Sequence, residues 1–435
     1  MKKNTVILAL LIVVGGLGVS CIHGFWGEDK LKKVGHAISS AAKSVKDVAV
    51  SAEHAVVDEV TQKDAREEAA FNAARAADRN AIKAQEAKGK KFCNGKESFC
   101  NRSYGNIAQL MVHDANATTK GLTEGSVKIA GHEFNLPNPV ADEDRLLSEQ
   151  LEDGMRSFKL PIHPVNGRIW AVHTLGSRDI DDAINDIVKK LPSGLPKSKV
   201  VEAIRGALHN DLWKIDFSNR PLMDVLTTFK KFLDNNKHEV VTLLLNYFDL
   251  STKELHQKVA DDFKAAGLAE YMHVQDVNKP WPTLQEMIDS GKRFVLFVDE
   301  AMLPELKNSG YHDYHDFWYQ SEYNFHNINE LNNDTCAEAV KNRAKFESRF
   351  GRAPAASLGM QFQHFITPAI AGSEPESEKA NKFDVIMGRI NKCAKALARD
   401  GKEVYPTFIM VDFYDKSFND LRRAVDAVNL IKAKQ

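Results

Sequence analysis

The sequence predicts an α/β fold on a parallel sheet, preceded by a helical extension. Two observations carry this. After Lys91, apolar runs of strand character alternate with amphipathic helical patterns seven or eight times, the rhythm of successive βα units. Before it, from Leu31 to about Lys88, the chain is rich in Ala, Lys, Glu and Asp, lacks Pro, and spaces its apolar residues by three and four. Seven or eight units suit a (β/α)8 TIM-type barrel, here of irregular outline. A doubly wound open sheet has the same rhythm, so periodicity alone leaves both arrangements open.

The first residues read as an export signal over 1–21. Lys2-Lys3 supply a positive start, and Val6 to Val14 form an apolar run short for a membrane span. Gly18-Val19-Ser20 then precede Cys21. That pattern is similar to a bacterial lipoprotein signal, with Cys21 as the lipidated first mature residue. Its Leu17 stands one place early, and an ordinary signal peptide or an uncleaved anchor stays open. The expected location is the cell envelope, with the membrane met through the lipid anchor. Residues 22–91 read as a stalk or spacer of one or two helices. The apolar stripe from Leu31 to Val60 is built from small residues, so a coiled coil or a membrane-surface helix is less well supported. The formal net charge of −1 gives no global attraction to nucleic acid.

Four cysteines remain after Cys21, and export favours disulfides among them. Four allow three connectivities. A short Gly-containing loop separates Cys93 from Cys100, which pairs these two and leaves Cys336 with Cys393. Buried thiols are the alternative.

Along 92–435 the expected strands are Ile107–Val112, Ser157–Ile162, Arg168–Val172, Val240–Tyr247, Arg293–Val298, Ser357–Gln363 and Thr407–Phe413. The expected helices are Ile180–Lys190, Lys197–Leu208, Leu222–Asn235, Thr252–Ala266, Leu284–Ser290, Thr335–Phe350, Glu378–Arg399 and Ser417–Leu430. Tyr311 to Asn333, dense in aromatics, His and Asn, reads as an irregular rim.

Several segments share an order with one enzyme family. They are Cys93-Asn94-Gly95 and Cys100-Asn101-Arg102-Ser103-Tyr104, then Leu110-Met111-Val112-His113-Asp114-Ala115, then Gln150 to Arg156 and Ala171-Val172-His173-Thr174. Glu239 to Leu245, Trp281 to Ile288, Ser290 to Val295 and Val411-Asp412-Phe413-Tyr414-Asp415 follow. Together they resemble the phosphatidylinositol-specific phospholipase C X-domain superfamily, especially its secreted PLC-like phosphodiesterases. The resemblance decides for the barrel. It marks Leu175 to Trp213, in the 175–213 span, as a helical insertion. It also implies that the His of the first segment is the base and the His of the second the acid, which map to His113 and His173.

That assignment agrees with the residues themselves. Strand ends converge at one face of a barrel. One imidazole there can take a proton from the attacking hydroxyl while another gives one to the leaving alkoxide. Asp114 lies beside the first, and Asp412, ending a late strand, is placed to orient an imidazole. His364 and Asp299, also at strand ends, are candidates to contact phosphate or substrate. The sequence departs from the inositide enzymes where they carry an Asp and a phosphate-neutralising Arg: counted from Arg156, those places hold Lys159 and Pro161. Alternation turns Phe158, Leu160 and Ile162 to the helices and Lys159 into the barrel. A buried Lys needs a carboxylate or a phosphate, so Lys159 is the candidate replacement.

The resulting expectation is an exported phosphodiesterase acting on a phospholipid or related phosphodiester by two-histidine acid–base catalysis, with neither cofactor nor metal. The rival is an inactive barrel that binds phosphorylated ligands. A metal-dependent glycerophosphodiesterase is the third reading, and it needs a carboxylate cluster that the sequence does not display.

Overall fold

The computed structural model describes residues 66, 68–119, 126–129, 132–135, 141–173, 218–247, 250, 252–299, 306, 308–323, 325–350, 354–368 and 372–435. The signal segment with Cys21, the apolar stripe over 31–60 and the whole of the 175–213 insertion lie outside the described residues. The chain divides into two compact units, Met1–Gly89 and Lys90–Gln435. Of the first, 68–86 is helical, as its Ala-rich sequence requires. Among the described residues no helix is long and apolar enough to cross a membrane.

The second unit is an α/β barrel. Its strands are β1 (Gln109–Val112), β4 (Ser157–Val165), β7 (Val241–Tyr247), β8 (Phe294–Val298), β9 (Tyr311–Asp313), β10 (Trp318–Gln320), β11 (Gly359–Gln363) and β12 (Phe408–Val411). Except for β9 and β10, successive strands of this series pair in parallel, and β12 returns to β1, with Gln109 opposite Phe408 and Val112 opposite Val411. A doubly wound sheet reverses its strand order about an interior strand; this order never reverses, so the barrel is the correct arrangement. No ladder joins β9 to β10 among the described residues, and the ring is open at that seam. Side chains join the strands around it: Phe297 of β8 meets Trp318 of β10 at 4.3 Å, and Trp318 meets Phe408 of β12 at 5.3 Å. These fully buried rings fill the barrel as a side-chain layer, each stabilising the fold by roughly 1.5–3 kcal/mol through burial.

Helices cover the outside. Leu222–Asn235 buries Leu222, Val225, Leu226, Phe229 and Leu233 on one stripe. Phe229 packs edge-on against Phe158 of β4 at 5.3 Å and Phe294 of β8 at 5.7 Å. Disulfides join Cys93 to Cys100 ahead of β1 and Cys336 to Cys393 between two outer helices, with Cα separations of 5.0 and 5.2 Å.

Three expectations change. The strand expected at Arg168–Val172 exists as β5 (Arg168–Ala171), but it runs antiparallel to β4 and continues to β6 (Arg220–Pro221). The reason is Asn166-Gly167, both at positive φ (49° and 74°), a two-residue turn that sends the chain straight back. The rim over Tyr311 to Asn333 contains two barrel strands, β9 and β10, too short at three residues each to show a period. And the single helix expected over Glu378–Arg399 is two, Glu374–Ala380 and Phe383–Ala396. Asn381 breaks it, its side-chain amide donating to the carbonyl oxygens of Asp412 at 3.1 Å and Phe413 at 3.4 Å. A further hairpin of β2 (Ser126–Ile129) and β3 (His132–Asn135) lies between β1 and β4 in the chain.

Candidate active site

Strands β12 and β1 build the site at their carboxyl ends, level with Lys159 near the start of the neighbouring β4. His113 follows β1 and extends its ladder, its N–H donating to Val411 O at 3.1 Å. Asp114 takes a left-handed φ of 42°, which Asp tolerates better than most residues, and the chain then crosses to β4, where Ala115 N–H donates to Lys159 O. His113 is thereby held between the two neighbouring strands. Its Nδ1 lies 2.8 Å from Asp412 Oδ1, beyond the end of β12, and its Nε2 lies 3.0 Å from Lys159 Nζ on β4. Phe365 stacks on the ring with centroids 4.0 Å apart. Phe158 faces the outer helix and Lys159, one residue on, faces the barrel; its Nζ is also 3.2 Å from Asp114 Oδ1.

His173 arrives by a different route. At nine residues β4 is longer than its parallel neighbours, and the Asn166-Gly167 turn folds the chain back as β5. Val172 N–H donates to Pro161 O, which brings His173 back to the mouth of the barrel. Its Nε2 is 3.5 Å from Asp114 Oδ2, and the same oxygen is 3.4 Å from His113 Nε2. Two such contacts to one atom limit the Nε2 separation to at most about 7 Å, within the reach of one phosphate group.

The charges around the two rings differ. His113 has Asp412 on Nδ1, and on Nε2 both the Lys159 ammonium at 3.0 Å and Asp114 Oδ2 at 3.4 Å. Burial pushes it down to about 3; Asp114 opposes this, while Lys159 and His173 add to it. It is therefore neutral at neutral pH, and the ammonium on Nε2 places its ring proton on Nδ1, donated to Asp412. Burial works to raise Asp114, but His113, Lys159 and His173 outweigh it and hold the carboxyl below the usual range. Asp412 is raised by burial and then by Asp142 and Asp114. His173 lies between Asp114 Oδ2, 3.5 Å from its Nε2, and Asp142 Oδ2, 3.2 Å from its Nδ1.

Asp142 was not singled out from the sequence. It lies in Asp142-Glu143-Asp144, a run that reads as a solvated acidic stretch, yet Asp142 and Glu143 are fully buried. The available signal was an acidic run placed just ahead of Leu147–Glu152, a helix from one of the family-like segments. Burial, with Asp114 adding to it, pushes Asp142 up to about 7 against the pull of His173.

Of the other candidates, His364 lies outside this cluster. It is fully buried, with Nε2 2.9 Å from Ala380 O and Nδ1 facing the Arg389 guanidinium at 3.4 Å, and burial pushes it down to about 3. These contacts belong to packing between β11 and the outer helices. Asp299 accepts a hydrogen bond from Asn246 Nδ2, so the ends of β7 and β8 form a polar pair of their own.

Ligand atoms of His113, Asp114 and Asp142 lie within 4.8 Å of one another, a spacing that suits a metal ion. The ammonium of Lys159 already stands against two of these three residues, and a divalent cation at about 2.0–2.6 Å from the same atoms would meet it. The set therefore fits a lysine-centred site better than a resident metal. Asp334, Cys336 and Cys393 are also close together, but the two sulfurs are joined to each other.

The family model described as PI-PLC X 1 matches residues 206–427, just over half of the chain. The match includes Asp412 and begins after His113, Asp114, Lys159 and His173. Two curated proteins of Arthroderma benhamiae are similar. A PI-PLC X domain-containing protein 1 is 40% identical over 214 residues, 48% of this chain and 51% of that protein. A protein described only as an uncharacterized secreted protein is 27% identical over 213 residues, 48% of this chain and 35% of its own length. The chain thus spans about half, or less, of the relatives it matches. Among solved structures, the phosphatidylinositol-specific phospholipase C of Listeria monocytogenes is 14% identical with a TM-score of 0.44, covering 75% of this chain and 94% of that one. A mutant of the Staphylococcus aureus phosphatidylinositol-specific phospholipase C is 12% identical with a TM-score of 0.41, covering 74% and 93%.

Proposed function

The chain belongs to the phosphatidylinositol-specific phospholipase C X family, and on that premise we propose that it is a phosphodiesterase that cleaves a phospholipid or related phosphodiester by two-histidine acid–base catalysis. The observation that carries this is that both imidazoles reach one carboxylate oxygen, Asp114 Oδ2, with the Lys159 ammonium against His113. His113, between Asp412 and the Lys159 ammonium, is neutral and keeps a lone pair on Nε2 for the attacking hydroxyl. His173, between Asp114 and Asp142, is placed to protonate the leaving oxygen. In this reading a phosphate enters beside Lys159, which takes the role of the missing arginine. As the phosphate draws the ammonium away from Nε2, His113 becomes a stronger base.

The N-terminal sequence, and a relative described as secreted, support export; Cys21 supports lipid anchoring at the envelope. The test is product analysis on vesicles of phosphatidylinositol, phosphatidylcholine and phosphatidylglycerol, with and without chelator. Release of a phosphorylated headgroup that survives chelator and is lost in His113→Ala is expected. A wild-type protein that releases none, yet binds inositol phosphates equally well with and without His113, would make it a binding protein.

A further inference from the structure

We propose that Asp142 is the positioning residue of His173, holding its Nδ1 proton so that Nε2 presents the acid proton to the leaving group. The inference rests on the phosphodiesterase reading and assigns a role to a residue outside the matched family segment. Four contacts fix Asp142. Its N–H donates to Ala117 O at 2.9 Å, its carbonyl accepts from Phe413 N–H at 2.8 Å, its Oδ1 accepts from Gly372 N–H, and its Oδ2, buried and without a hydrogen bond among the described residues, stands 3.2 Å from His173 Nδ1 as an ion-pair contact. The first two tie it to the segments that follow β1 and β12, which also carry His113 and Asp412. The carboxylate is thus set by the same framework as the proposed base, while His173 hangs from a hairpin outside the ring and needs an external anchor.

The approach at Gly372 is close. A Cβ there would stand 2.8 Å from Asp142 Oδ1 and 2.5 Å from Asp412 Oδ2, so only glycine lets its backbone serve Asp142. The charged groups around Asp142 are His173, Asp114, Lys159, Asp412 and Glu143. His173 takes up Asp142 on one side and Asp114 on the other. In the step itself, the bond from phosphorus to the leaving oxygen breaks, its electron pair goes to that oxygen, and the Nε2 proton follows. The ring is left neutral, with its remaining proton on Nδ1 and directed at Asp142. Without Asp142 the ring can turn or carry its single proton on the wrong nitrogen.

Asp142→Asn, in the full chain, keeps the Gly372 bond and removes the charge. Turnover of phosphatidylinositol vesicles is compared with that of a p-nitrophenyl inositol phosphodiester, whose phenolate leaves without a proton. The expected loss is on the order of 10²-fold for the lipid, with KM little changed, and only a few-fold for the aryl ester. Equal losses on both would show a merely structural role and overturn the proposal. So would chelator sensitivity of the wild type that is reversed by Mg²⁺ or Ca²⁺ and absent in Asp142→Asn, since Asp142 would then be a metal ligand. If the wild type cleaves neither substrate, the phosphodiesterase reading fails by itself. ¹⁵N NMR of the imidazoles then decides the pairing without turnover: His173 should titrate at lower pH in Asp142→Asn, and an unmoved titration overturns it.

Discussion

Replacing Lys159 by Met tests the electrostatic core of the site. Its Nζ stands 3.0 Å from His113 Nε2 and 3.2 Å from Asp114 Oδ1, with the side chain 19% exposed. A phosphate entering here would place a non-bridging oxygen against that ammonium. Unit charges about 4 Å apart, at an effective dielectric of about 20, attract by about 4 kcal/mol. Only the part gained between ground and transition state speeds the reaction. Loss of one such group should therefore lower kcat by roughly 10²–10³-fold. The pH profile should move as well. Lys159 helps to push His113 down, whereas Asp114 pulls it up. With Met in place the ring is protonated at higher pH, so the acidic limb of kcat/KM shifts upward. Initial rates of headgroup release from lipid vesicles at a series of pH values give both quantities, with circular dichroism and thermal melting as checks of folding. A folded Lys159→Met that keeps wild-type turnover and an unmoved acidic limb refutes the assignment.

Asp412→Asn should lower kcat by roughly 10²–10⁴-fold, the scale of general-base catalysis, because an amide can donate to Nδ1 and fix the wrong tautomer of His113; steady-state rates beside an unchanged melting curve check this. The disulfides close loops of very different size, with sequence separations of 7 and 57. By loop entropy, removing Cys93–Cys100 should cost about 2 kcal/mol and removing Cys336–Cys393 about 4 kcal/mol, measured by denaturant unfolding of the paired Ser variants. Cys21→Ser should abolish acylation, seen as loss of the acyl mass, and release the protein from membranes; unchanged retention would point to an uncleaved anchor.

Much of the barrel was legible because its strands are apolar runs buried on both faces, and its helices carry stripes such as Leu222 to Leu233. What was not legible had physical causes. Strands β9 and β10 are three residues long, below the length at which a period shows. The antiparallel course of β5 was written in Asn166-Gly167, a hairpin signal that the βα rhythm overrode. At the site, His113, Asp114, His173 and Asp412 could be singled out because each stands at or near a strand end, and Lys159 by its count from Arg156 and the alternation of the strand. Asp142 could not, because an acidic run has no sequence signature of burial. His364 matched a strand end as well as the others did, and only its contacts to Ala380 and Arg389 place it in packing.

The sequence by itself determined the βα alternation and the residue types available for proton transfer. The tertiary structure decided how those residues are charged and aimed. His113 and Asp412 meet across 299 residues, and His173 meets Asp142 only because β4 overshoots the ring and a hairpin returns. A proton's location depends on the charges within a few ångströms of it and on their distance from water. Those neighbours come from strand ends, loops and a hairpin that no local pattern connects.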